Sequence, residues 1–166
     1  MGASIARRDF LRGRKPLTPA MRPPGAVEER LFQTLCDEEC RACAEACPEN
    51  IVDFDTSGMP TLDFALEGCT FCAACTDACP TGALDRTNPR PWLWKAGIGS
   101  ACLSYNGIAC RSCVDVCEPQ AISFRLLAGG RDVPLLDPEA CNGCGSCKAV
   151  CPANAVTLFE VTKGSA

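Results

Sequence analysis

The sequence contains no histidine, one tyrosine and two tryptophans. No apolar run approaches the roughly 18 residues that a membrane-spanning helix needs. Without histidine there are no imidazole metal ligands, no imidazole acid–base chemistry and no Ser–His or Cys–His nucleophile pair. A hydrolase is not expected, and no polar constellation suggests another enzyme. At 166 residues the chain is one ordinary domain or two very small ones. Units of about 80 residues bury too little apolar surface to stand alone, so a staple is expected.

Charge is unevenly spread. Residues 1–30 carry seven Lys/Arg against three Asp/Glu, a net of +4, and the remainder nine against 17, a net of −8. A basic arm on an acidic body fits a tail that meets something acidic, or one that stays solvated. It does not fit nucleic acid, because the body would repel phosphate.

What the chain has in excess is cysteine, 16 in all, falling into four groups of four. The groups are Cys36, Cys40, Cys43 and Cys47; Cys69, Cys72, Cys75 and Cys79; Cys102, Cys110, Cys113 and Cys117; and Cys141, Cys144, Cys147 and Cys151. Their first members recur at intervals of 33, 33 and 39 residues, the mark of an internally repeated chain. The second and fourth groups are spaced C-x2-C-x2-C-x3-C-P; the first has one extra residue and the third opens with C-x7-C. An irregular group followed by a regular one, twice over, reads as a duplicated unit. Its boundary falls in "DRTNPRPWLWKAGIG", Asp85 to Gly99, where Pro89 and Pro91 interrupt regular structure. The expected organisation is a basic arm over 1–30 and two modules over 31–88 and 89–166.

Three thiolates on one tight loop can grip three irons of a cubane cluster, and the fourth iron needs a thiolate from elsewhere. The regular spacing is the bacterial ferredoxin signature, whose fourth cysteine ligates the other cluster of the pair. Four [4Fe–4S] clusters are therefore expected, with all sixteen cysteines as ligands in crossed sets. Cys36, Cys40 and Cys43 would share a cluster with Cys79, and Cys69, Cys72 and Cys75 with Cys47. In the second unit Cys102, Cys110 and Cys113 would join Cys151, and Cys141, Cys144 and Cys147 would join Cys117. At Cys102 the reading stays open between a standard site and a changed ligand set or lost cluster. Structural zinc asks for two C-x2-C pairs a dozen or more residues apart, and disulfides for an oxidising compartment; neither matches.

Around the groups the pattern predicts α+β structure, tandem dicluster ferredoxin-like modules of short hairpins and helices. Ile51, Phe54, Leu62 and Phe64 flank the turn "DTSGMP"; Ile122, Phe124 and Leu126 alternate before "AGGRD", and Val133 and Leu135 return. Ala155 to Val161 reads as a final edge strand. Val27 to Leu35 reads as a helix with Val27, Leu31 and Leu35 on one face. Pro48, Pro80 and Pro152 are each expected to open a helix. Trp92 and Trp94 are expected to pack rather than to relay electrons.

The arm poses a separate question. Arg7-Arg8-Asp9-Phe10-Leu11-Arg12 is like a twin-arginine export signal, yet a leader needs about 7–15 apolar residues after its arginines. Arg12, Arg14, Lys15 and the prolines at 16, 19, 23 and 24 stand there instead. Retention in the cytoplasm is the expectation. The arm is either a solvated tail or a segment that resembles a leader because it meets the same partner, through Arg7, Arg8, Phe10 and Leu11.

Taken together, the Arg7–Gly13 motif, Arg22-Pro23-Pro24, "ACLSY" before a delayed cysteine trio and "CNGCGSC" resemble the NapF family, ferredoxin-type accessory proteins of the periplasmic nitrate reductase system. The likeness covers nearly the whole chain. Two departures are Gly25, where the family has an aromatic after Arg-Pro-Pro, and the extra residue between Cys36 and Cys40. The resemblance implies a cytoplasmic protein that meets the immature nitrate reductase catalytic subunit and assists its maturation, by electrons or by cluster assembly. A general polyferredoxin carrier and an electron-transfer subunit of another redox complex are the competing readings.

Overall fold

The computed structural model describes residues 20–127 and 130–161. Its elements run α1 (Glu29–Leu35), α2 (Ala42–Glu45), β1 (Val52–Phe54), β2 (Pro60–Leu62), α3 (Ala74–Asp77), β3 (Trp94–Ile98), α4 (Ser112–Asp115), β4 (Ile122–Leu126), β5 (Asp132–Leu136), α5 (Ser146–Ala149) and β6 (Val156–Glu160). None of these helices is long and apolar enough to cross a membrane. The strands make three antiparallel ribbons, β1–β2, β4–β5 and β3–β6. The first two are the hairpins expected from sequence, with Val52 opposite Leu62 and Ile122 opposite Leu136. The third pairs the start of the second module with its end, Ile98 opposite Val156.

The first module is closed in the same way. Ala26 bridges Leu84, and Leu84 lies five residues past Cys79 as Val156 lies five past Cys151. The flanking bonds also match: Val27 N–H donates to Ala83 O at 3.1 Å, and Gly99 N–H to Ala155 O at 2.7 Å. The duplication is visible in side chains too. Arg41 lies over the Phe54 ring at 4.0 Å and Arg111 over Phe124 at 4.7 Å, cation–π contacts worth about 0.5–1 kcal/mol each at exposed sites.

Residues 20–30 are therefore not part of a solvated arm, as their charge and prolines suggested. Met21, Arg22, Pro23, Ala26 and Val27 are buried. Arg22 is only 5% exposed; it pairs with Glu29 at 3.0 Å and Asp55 at 2.8 Å, donates to Pro60 O at 3.0 Å, and lies over Phe32 at 5.1 Å. A buried guanidinium satisfied this fully is an anchor. At Gly25, φ is +93° and a Cβ would sit 2.4 Å from Thr76 Oγ1, which explains why the aromatic of the family pattern is not accommodated in this conformation. Thr76 Oγ1–H instead donates to Pro24 O at 3.0 Å.

Two further expectations are corrected. In α1 the buried residue is Phe32, fully enclosed, whereas Leu31 is 45% exposed; Phe32 packs with Ala26, Val27, Ala83 and Leu84 and lies beneath Arg22. The prolines after the fourth cysteines do not open helices. The one-turn helices lie before those cysteines, and Pro48 and Pro152 enter turns.

The apolar interior is divided. One cluster gathers Ala26, Val27, Phe32, Cys43, Ala83 and Leu84. A second gathers Ala96, Ala121, Ile122, Cys141, Cys147 and Val156. Between them Met21, Ile51, Phe64 and Trp94 form a third, drawn from both modules. Arg90 reinforces this junction by pairing with Glu29 at 3.8 Å and with Glu160.

Replacing Arg22 by Met should lower the stability of the cluster-loaded protein by about 2 kcal/mol, less than a fully buried pair because its carboxylates keep contact with water. The urea midpoint measures this. Burial alone would raise the Asp55 pKa, but Arg22 and the Ser57 and Met59 N–H groups outweigh it, leaving it below the ordinary value. Stability from Asp55 is thus present above its unfolded pKa and lost as pH falls through the lower folded one, so the difference between variants should narrow there. Equal midpoints at neutral pH would mean that this segment is not an anchor.

Candidate cluster-binding cavities

The cysteine loops are shaped by backbone conformation. In the two regular groups, the second residue after the first cysteine and the residue after the second cysteine are left-handed. In the fourth group these are Gly143 (φ +70°) and Gly145 (φ +86°); in the second they are Phe71 (φ 54°) and Ala73 (φ 63°). Holding a non-glycine residue there costs on the order of 1 kcal/mol or more, so the loop shape is imposed by the surrounding structure. The third and fourth cysteines of every group then flank the last part of a one-turn helix, α2, α3, α4 or α5. Three residues past each fourth cysteine comes another left-handed position, Asn50, Gly82, Gln120 or Asn154, which turns the chain back over its own loop.

The irregular groups reach the same arrangement by local closure. Between Cys36 and Cys40, Asp37 Oδ1 accepts from Glu39 N–H at 2.9 Å and Asp37 O accepts from Cys40 N–H at 3.1 Å, absorbing the extra residue in a turn. After Cys102, the insert "LSYNGIA" folds onto itself. Asn106 Nδ2 donates to Ser100 O and Cys102 O, and the buried Ser104 hydroxyl donates to Cys110 O at 2.8 Å.

Four cavities of similar size result, each bounded by four cysteines from two groups. Cys36, Cys40, Cys43 and Cys79 line the first, with about 330 Å³ of space outside protein atoms, open solvent included. Cys47, Cys69, Cys72 and Cys75 line the second, about 370 Å³. Cys102, Cys110, Cys113 and Cys151 line the third, about 360 Å³. Cys117, Cys141, Cys144 and Cys147 line the fourth, about 310 Å³. These are the crossed sets expected from spacing, Cys102 included. None of the sixteen is in a disulfide. Among the described residues no three Cys, Asp or Glu side chains gather about a point as for a single ion.

The walls are mainly apolar, with Phe32 and Leu84 at the first cavity, Ile51 and Leu62 at the second, Ile98 and Phe124 at the third, and Ile122 and Leu136 at the fourth. Backbone N–H groups point at sulfur: Phe71 to Cys69 at 3.4 Å, Leu84 to Cys79 at 3.4 Å, Ala96 to Cys141 at 3.5 Å and Ala155 to Cys151 at 3.3 Å. Burial pushes the Cys43 and Cys69 thiols up to about 11 and Cys147 to about 12. At Cys79 burial also raises the pKa, but Leu84 N–H and the Thr81 hydroxyl outweigh it and the thiol lies below its ordinary value. Four thiols in an apolar cavity, with amides donating to sulfur, form the donor set that suits a [4Fe–4S] cluster. When bound, such a cluster supplies one-electron storage.

Comparison with known proteins agrees with this chemistry. The 4Fe-4S dicluster domain model matches residues 35–83 and 108–155; its second match begins after Cys102. Ferredoxin-type protein NapF of Escherichia coli strain K12 is 40% identical over 158 residues, covering 95% of this chain and 96% of that protein. The chain belongs to the NapF family of ferredoxin-type proteins. NapF of Haemophilus influenzae is 37% identical, again covering 95% of this chain and 96% of the relative. A methylamine utilization ferredoxin-type protein, MauM of Methylobacillus flagellatus, is 36% identical over 89% of this chain and 71% of its own length. Like these relatives, the chain is an iron–sulfur protein of ferredoxin type.

Arg7, Arg8, Phe10 and Leu11, the expected partner-binding residues, lie outside the described residues. The sequence did not point to Pro24 as part of the second cavity wall, nor to Thr81 beside Cys79. Arg22-Pro23-Pro24 was the available signal for the first. Trp94 is buried as expected, and Trp92 is held by its Nε1–H donating to Asn142 O at 2.9 Å and by an edge contact with Phe71.

The crossed lining of the cavities leads to a direct expectation. Cys79→Ser should cost the cluster of Cys36, Cys40 and Cys43, so that the double variant with Cys40→Ser loses no more iron than either single one. Combined with Cys72→Ser it should lose two cluster equivalents. The opposite pattern of iron contents would mean uncrossed ligation.

Proposed function

We propose that the protein carries four [4Fe–4S] clusters, one in each cavity, with all sixteen cysteines as ligands. They are divided between two dicluster modules joined at Asp85–Gly99, corresponding to the sequence ranges 31–88 and 89–166, with residues 20–30 completing the first. The single observation carrying this reading is that each cavity is lined by three cysteines of one group and one of its partner group. Its proposed place is the cytoplasm, the side of the membrane on which a partner awaiting export would be met.

The role that fits family membership is assistance to the immature catalytic subunit of the periplasmic nitrate reductase before its export, by electron supply or help with cluster assembly. Arg7, Arg8, Phe10 and Leu11 would make the contact. The protein is not an enzyme with a substrate of its own; the relatives described above are ferredoxin-type proteins by name. A second reading, a general electron carrier or an electron-transfer subunit of another complex, draws support from the methylamine utilization relative, in which a similar body carries the name of a different system.

Anaerobic capture from cytoplasm with the intact, cluster-loaded chain distinguishes the two. The maturation reading expects the nitrate reductase precursor to be retained, and the Arg7→Gln, Arg8→Gln double variant to retain several-fold less at unchanged iron content. Equal capture by the double variant would remove the arm from the contact. Failure to capture the precursor, together with electron exchange with unrelated reductases, would favour the general carrier.

A further inference from the structure

The two modules meet through their cysteine loops. Cys69 N–H donates to Cys144 O at 2.7 Å, joining the second and fourth cavities main chain to main chain. Close approach here depends on residues without side chains. A Cβ on Gly68 would stand 2.1 Å from Ser146 Oγ and 2.7 Å from Ser146 N; one on Gly145 would stand 2.4 Å from Phe64 Cγ. Beside this contact, Cys47 and Cys69 of the second cavity pack against the apolar cluster that contains Phe64 and Trp94.

Within each module the cavities are joined differently, through the one-turn helices. Cys43 and Cys47 flank the end of α2 and line the first and second cavities respectively; Cys75 and Cys79, flanking the end of α3, do the reverse. The pairs Cys113 and Cys117, and Cys147 and Cys151, tie the third and fourth cavities through α4 and α5 in the same way. Among the described residues no main-chain hydrogen bond joins the wall of the first cavity to that of the third or fourth, or the second to the third.

We infer that electrons traverse this protein along a single line, first cavity to second to fourth to third, and that the Cys69–Cys144 contact is the crossing between modules. The inference rests on the four-cluster reading. Each step moves one electron from a reduced cluster to an oxidised neighbour, with no bond made or broken and no proton required; a one-electron reductant such as dithionite supplies it. Because tunnelling weakens steeply with distance, Gly68 and Gly145 are positioning residues that keep the crossing short. The line has two ends, one beside α1 and the other beside the insert that follows Cys102.

The test uses the cluster-loaded protein under anaerobic conditions. Iron analysis first counts the clusters, and electron paramagnetic resonance of the dithionite-reduced protein then reads the magnetic coupling between neighbours. Cys72→Ala, which removes the second cluster, should leave the first magnetically isolated while the third and fourth remain coupled. Cys40→Ala, which removes the first, should leave the coupling among the other three unchanged. Gly68→Ala should keep its iron and weaken the coupling between the second and fourth clusters. Gly130→Ala, in the turn between β4 and β5 at φ +76° with nothing within 4 Å of its Cβ, should not weaken it. If Gly68→Ala cannot hold its clusters, the two cysteine variants decide the matter alone. A first cluster still coupled after loss of the second, or a second uncoupled by loss of the third through Cys110→Ala, would overturn the line. Fewer than four clusters in the unmodified protein would overturn the four-cluster reading and the line with it.

Discussion

The one-turn helix that holds the third cysteine of each group and ends two residues before the fourth is the constraint from which the rest follows. It sets two thiols of one group to face different cavities, so no group can complete a cavity by itself. In the proposed ligation, every cluster then crosslinks two segments whose nearest cysteines are 22 to 38 residues apart in sequence, and each module is held by two such crosslinks at once. The left-handed positions at Asn50, Gly82, Gln120 and Asn154 serve the same end, returning the chain so that the next strand or bridge lies over the cavity it has just left.

This division of labour explains how little apolar core the protein has. Among the described residues the three clusters are small, one of them having only Met21, Ile51, Phe64 and Trp94 as its buried members. Fully burying a Phe stabilises by about 1.5–3 kcal/mol, so a handful of such residues leaves much of the ordering entropy to be offset by cofactor bonding. Several cysteines are themselves core members, Cys43 in one cluster and Cys141 and Cys147 in another. In the proposed ligation, packing and cofactor binding are thus performed by the same side chains.

Much of this was legible in the sequence because it depends on spacing. Cysteines three residues apart must share a loop, and alternating apolar residues around "DTSGMP" and "AGGRD" must form hairpins; both hold in the structure. What escaped depends on distant partners. Arg22 reads as one more charge in a proline-rich tail until Asp55, 33 residues on, is seen to pair with it. Phe32 and Leu31 are equally apolar, and which one is enclosed depends on distant partners such as Ala83 and Leu84. Gly68 carries no turn signal; its small size matters because Ser146 lies against it across the module boundary. The prolines after the fourth cysteines misled for a local reason, since a fixed φ suits the first position of a turn as well as that of a helix.

The central claim is that two shared-ligand modules hold one cubane cluster in each of four cavities. Mössbauer spectroscopy of the anaerobically isolated, iron-57-enriched protein, combined with metal analysis, tests it most directly. The account predicts that essentially all bound iron is in [4Fe–4S] clusters, at four per chain, with no stoichiometric zinc. Stoichiometric zinc without a cubane signal, or a reproducible deficit of one cluster despite sixteen intact cysteines, would contradict it.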